Sequence, residues 1–289
     1  MAVLPHPEVH QVETAHGEVR VVDTGGSGRP VLLVHSLLVD PDLYATLVPL
    51  LRRRGHRCIV PELPFGAHAV PLAVDADLTP PGLATLLVEV LDALGVGDVD
   101  VVGVDTGGAL TQLLMADHRD RVGRVVLTAC DAYDAFPPRH LGRLFAPIRN
   151  RPGLWAAAQL GRSPMVRRLV NVAPLTHRGV DAAAVGRWTA PLRNPQVRRD
   201  LAKVMDGMHP RHTLRAGQEN TTFPRPVLVA WGDDARVFPR RLAERLAEDL
   251  PDVRLVTLPD CGAFASIDQP DLLADLIHEH LGNVPATAP

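Results

Sequence analysis

Apolar and polar positions alternate along this chain in two rhythms. Apolar-rich runs at residues 30–34, 58–60, 99–104, 122–129, 227–231 and 253–258 predict strands, most of them buried on both faces as in a parallel sheet. Residues 9–22 read as two further strands around the turn Ala15-His16-Gly17. Between the runs, residues 42–53, 82–94, 109–118, 239–250 and 271–281 space their apolar positions three and four apart and predict helices. Leu83, Leu86, Leu87 and Leu94 make one such face, and Leu110, Leu113 and Leu114 another. Strands alternating with helices predict an α/β architecture. The rhythm breaks over residues 132–223, which are Arg-rich, punctuated by proline and without a strand-like run. That stretch predicts an inserted helical cap over the strand C-termini, where ligands bind in such sheets. Residues 1–131 and 224–284 then form the core, and 285–289 a disordered tail.

Composition narrows the class. A chain of 289 residues with 46% hydrophobic content fits one large domain with a sizeable core. A net charge of −3 gives no reason to expect a nucleic-acid or anionic-membrane partner. Three cysteines, Cys58, Cys130 and Cys261, are odd in number and share no metal-ligand spacing, which points to a reducing compartment and no metal. The first residues lack the basic flank and apolar core of a secretory leader, and no apolar run is long enough to span a bilayer. The expectation is a cytoplasmic protein, monomer or homodimer, acting on a small molecule without an organic cofactor.

One turn stands out. Gly103-Val104-Asp105-Thr106-Gly107-Gly108 joins a predicted buried strand to a predicted helix. A sharp turn flanked by small residues lifts its central side chain above the sheet, the arrangement of a nucleophile elbow. The central residue is Asp105, and a carboxylate there can attack a carbon bearing a leaving group to form an enzyme ester. The plainer alternative is a Gly-rich loop in which Asp105 caps the helix.

With these ordered signals the chain resembles the α/β-hydrolase superfamily, and within it the Asp-nucleophile branch of haloalkane dehalogenases, fluoroacetate dehalogenases and epoxide hydrolases. The resemblance rests on His35 after the third strand, the elbow at Asp105, the segment from Trp231-Gly232 to Pro239, and Asp260-Cys261-Gly262-Ala263-Phe264 before the last helices. It implies an α/β-hydrolase fold, a mostly parallel twisted sheet flanked by helices with a helical cap. It also implies that main-chain N–H groups of Thr106 and Leu37 hold developing negative charge. Ser36 stands where the family usually has Gly, and either adds a hydroxyl donor or fills space.

The departures carry as much weight. The family's base is a His where this chain has Ala263, and its supporting acid often lies where this chain has Ala235. Alanine neither gives nor takes a proton, and breakdown of an alkyl ester needs a base to activate water. Asp131, at the end of the strand after the elbow helix, is a candidate acid, since some dehalogenases place theirs there. It can equally cap the following segment. His35 and His68, both at strand C-termini, are candidate bases, although lone histidines are mostly structural. His209 and His212 lie near the end of the cap. Trp155, Trp188, Tyr133 and Phe136 are candidate pocket residues, with apolar packing as the plainer role for the tryptophans.

The reading is carbon–heteroatom bond hydrolysis at Asp105, dehalogenase-like or esterase-like, with a degenerate triad. Two alternatives stay open: a non-hydrolytic isomerase, lyase or cyclase using Asp105 as acid or base, and a catalytically silent ligand binder.

Overall fold

The computed structural model describes residues 9–138, 151–169 and 175–282. The 285–289 tail and parts of the 132–223 insertion (139–150 and 170–174) lie outside the described residues. The chain runs β1 (Val9–Thr14), β2 (Gly17–Asp23), β3 (Pro30–Val34), a 3-10 turn (Pro41–Tyr44), α1 (Leu47–Arg53), β4 (Arg57–Pro61), α2 (Pro80–Ala93), β5 (Val99–Asp105), α3 (Thr106–Asp117) and β6 (Val122–Cys130). It continues with α4 (Arg151–Leu160), α5 (Pro164–Leu169), α6 (Ala182–Thr189), α7 (Pro195–Gly207) and α8 (Pro210–Glu219). The sheet resumes with β7 (Val227–Gly232), followed by α9 (Arg240–Asp249), β8 (Val253–Leu258), α10 (Ala265–Asp268) and α11 (Pro270–Leu281).

One eight-stranded sheet orders its strands β1-β2-β4-β3-β5-β6-β7-β8. β1 and β2 are antiparallel to each other, β2 is antiparallel to β4, and the other pairings are parallel. This is the α/β-hydrolase fold. Every residue of β5 and β7 is buried, as continuous apolar runs require when helices cover both faces. Among the described residues no strand falls between β6 and β7, and no helix is long and apolar enough to cross a membrane.

One expected helix is divided. Residues 42–53 form a 3-10 turn capped by the Asp40 side chain, then α1. Pro49 has no N–H for the Ala45 carbonyl, so a continuous helix would lose a bond there. Restarting at Leu47 puts the proline in the first turn, where N–H groups lack intrahelical partners anyway.

Candidate active site

The elbow begins in the backbone. Asp105 ends β5 with φ 53° and ψ −125°, a left-handed conformation uncommon for a residue with a side chain. Close packing holds it there. A Cβ on Gly107 would run into the carbonyl oxygens of Val34 and His35, so α3 starts hard against the end of β3. Asp105 is only 8% exposed. Its Oδ1 accepts from the Thr106 main-chain N–H at 2.6 Å and lies 3.2 Å from the Thr106 hydroxyl. Burial pushes its carboxyl above the usual carboxylate range, against the pull of the Ser36 hydroxyl and the Thr106 N–H and hydroxyl.

Asp131 stands beside it. β5 and β6 are paired so that Asp105 faces Cys130, and the Asp131 N–H donates to the Asp105 carbonyl at 3.3 Å. Asp131 Oδ2 is 3.4 Å from the Thr106 hydroxyl, which therefore sits between the two carboxyl groups. Asp131 Oδ1 is buried and has no hydrogen-bond partner among the described residues. Burial, followed by the neighbouring Asp105 charge, pushes the Asp131 carboxyl well above its usual range. Two carboxyl groups sharing one buried site resist ionising together. A protonated Asp131 can donate to Thr106 Oγ1 while that hydroxyl donates to Asp105 Oδ1.

The histidines are engaged elsewhere. His35 is 1% exposed, Leu63 N–H donates to its Nε2 at 3.0 Å, and its Nδ1 lies 2.9 Å from the Ser36 carbonyl. The ring is therefore the neutral Nδ1–H tautomer, and burial lowers its pKa to about 4. His68 is bound in the same way, accepting from Gly66 N–H at 3.2 Å and facing Asp200 Oδ2 at 3.4 Å. Each of these two candidate bases thus has both ring nitrogens engaged within the protein. His209 caps α8 by accepting from Arg211 N–H, and His212 Nε2 accepts from Arg211 Nε. Ala263 is fully buried in the loop after β8, and Ala235 is 6% exposed in the loop after β7.

The pocket candidates separate. Phe136 packs with Ala109 of the elbow helix, Met208 and Leu37, beside the elbow. Trp188 is buried, and its indole N–H donates to Asp40 at 2.9 Å, fastening α6 to the loop after β3. Trp155 is 54% exposed. The inner face of α4 is Leu154 and Ala158, four apart, and the position after Leu154 turns outward. Tyr133 directs its hydroxyl to Asp249 on α9 at 2.8 Å and stacks its ring under Arg245. Of these candidates, Trp155 lies at the surface and Tyr133 is engaged with α9.

Two supporting residues were missed in the sequence pattern. Gln112 donates to the carbonyls of Gly108 and Asp131, at 3.0 and 2.8 Å, and fixes the end of β6 against α3. Asp268 gathers the Thr176 hydroxyl and the N–H groups of His177, Arg178 and Gly262, pinning insertion and Ala263 loop together. A polar residue inside an apolar helix pattern was the one cue to Gln112.

The alpha/beta hydrolase fold family model matches residues 29–270. Haloalkane dehalogenase 2 of Mycobacterium tuberculosis is 28% identical, over 96% of this chain and 98% of the relative. A 2-hydroxy-6-oxo-6-phenylhexa-2,4-dienoate hydrolase of Burkholderia cepacia is 24% identical over 91% of each chain. The solved structure of epoxide hydrolase CorEH superposes with a TM-score of 0.76 at 19% identity, covering 95% of this chain and 98% of that one, a likeness of fold.

Proposed function

The chain belongs to the alpha/beta hydrolase fold family, and within it we propose an enzyme that cleaves a carbon–heteroatom bond of a small to medium organic molecule with Asp105 as nucleophile. The Asp105 carboxylate attacks a saturated carbon, an O–C bond forms, and the leaving group departs with the bonding electrons. One observation carries the reading: Asp105 is held in a left-handed turn with Oδ1 on the Thr106 N–H at 2.6 Å. In the ester, Oδ1 becomes the carbonyl oxygen. In this reading the same N–H, with that of Leu37 in the loop after β3, holds the charge that develops when water adds. A mycobacterial relative carries the name haloalkane dehalogenase, so a haloalkane is the first substrate class to try.

A second reading has Asp105 transfer a proton in a dry site without ester formation. The upward-shifted carboxyl favours it, as does the lack of any described histidine bonded to Asp105. Intact-mass spectrometry after incubation with alkyl halides, epoxides and activated esters separates the two, with Asp105→Asn as control. A mass added to Asp105, or hydrolysis product, that is lost in the control supports attack. Neither, across the panel, contradicts it.

A further inference from the structure

Asp105 has a neighbour whose geometry goes beyond support. Asp131 leaves the adjacent strand, is tied to Asp105 through the main chain, and shares the Thr106 hydroxyl with it. Its Oδ1 is buried with no partner among the described residues, while nearly all buried polar atoms in proteins have one. An orphaned carboxylate oxygen beside a reacting group is a position for a water molecule. The imidazoles that might have served instead, His35 and His68, are held through both ring nitrogens.

Building on the reading of Asp105 as nucleophile, we propose that Asp131 is itself the base of the second step, holding the hydrolytic water on Oδ1 and taking its proton. The proton balance closes. The proposed cycle starts from an ionised Asp105 and a protonated Asp131. When Asp105 attacks carbon, the Asp131 proton leaves with the departing group, so the pair becomes a neutral ester beside an ionised Asp131. Water then adds to the Asp105 carbonyl carbon and Asp131 accepts its proton. Collapse of the tetrahedral intermediate breaks the bond between the Asp105 acyl carbon and the ester oxygen, so the alcohol leaves with that oxygen and the second water proton, and the water oxygen stays in the Asp105 carboxyl. The pair returns to one proton, and the sum is R–X plus water giving R–OH plus HX. Burial raises the Asp131 carboxyl most and the Asp105 charge adds to it; esterification removes that charge and so favours the ionised base at the step that needs it. This differs from an arrangement in which a carboxylate only orients an imidazole.

The test is a reaction with a short primary bromoalkane in excess over protein, following bromide release and intact protein mass in wild type, Asp131→Asn and Asp131→Ser. Wild type is expected to release bromide repeatedly with no lasting adduct. Asp131→Asn is expected to release one bromide per protein and keep the alkyl mass, with breakdown slowed about 100-fold, the lower range for loss of a general base. Asp131→Ser should stall likewise, and added formate should restore breakdown, which a structural role would not predict. Equal breakdown in wild type and Asp131→Asn overturns the proposal, as does a persistent adduct in wild type; both leave Asp105 as nucleophile. Neither bromide nor adduct in any protein overturns both readings together.

Discussion

The Asp131 N–H donates to the Asp105 carbonyl at 3.3 Å, so two carboxyl side chains leave neighbouring strands side by side inside the protein. Such a pair costs stability. A carboxyl whose folded pKa is raised destabilises the fold increasingly as pH climbs from its ordinary value toward the raised one, because the unfolded chain ionises first. Asp131→Asn should therefore raise stability at pH 7 by about 1 kcal/mol, a common yield of relieving a functional site. The gain should shrink on acidification toward the ordinary carboxyl value of 3.8. Thermal melts at both pH values check this. Equal melting temperatures for variant and wild type would contradict it.

Thr106 supplies two different donors. Its N–H belongs to the backbone and survives any substitution, while its hydroxyl bridges Asp105 and Asp131. Thr106→Val removes the bridge at nearly constant shape and should lower kcat about 10- to 100-fold with little change in KM. Thr106→Ser should retain most of the activity. Steady-state kinetics on a substrate found in the panel decide this.

Asp200 lies at 0% exposure on α7 and clamps the insertion to the loop after β4. It faces His68, accepts from Arg199 Nε at 2.8 Å and takes Leu72 N–H at 2.9 Å. Burial pushes its carboxyl up, but the bonds from His68, Arg199 and Leu72 outweigh it and hold the carboxyl below its usual range. Its stabilisation is thus present above the ordinary carboxyl value and lost as pH falls through the lower, folded one. Asp200→Ala takes the carboxylate from buried His68, half-buried Arg199 and the Leu72 N–H and should cost about 3 kcal/mol in urea unfolding at pH 7.

His35 is a structural strut between Ser36 and Leu63. Its folded pKa of about 4 lies below the ordinary 6.5, so its contribution is complete above pH 6.5 and fades as pH drops toward 4. His35→Ala leaves the Leu63 N–H and the Ser36 carbonyl unpaired and should cost about 2 kcal/mol. Equilibrium unfolding measures this. The pH–rate profile of the wild type should show no inflection from His35 near neutrality.

The core and the elbow were legible in the sequence because local rules determine them. Apolar runs buried on both faces mark β3, β5 and β7, and small residues around Asp105 mark a turn that must pack closely. Long-range partners were not legible. Nothing at His68 points to Asp200, 132 residues away, and nothing at Tyr133 points to Asp249. Trp155 misled for another reason. The composition of α4 suggests an apolar helix, but only its Leu154 and Ala158 side turns inward. Asp131 was visible as a residue at a strand end. Its orphaned oxygen and its bridge through Thr106 come only from the register of β5 against β6.

The central claim is that Asp105 bonds to carbon, and oxygen tracing tests it most directly. The protein in excess over substrate is allowed one turnover in water enriched in oxygen-18. The product and the peptide spanning residues 99–117 are then weighed. The account predicts an unlabelled oxygen in the first-turnover alcohol and oxygen-18 in the Asp105 carboxyl. Oxygen-18 in the first-turnover product with an unlabelled Asp105 would mean that water attacks carbon directly, and would contradict the account.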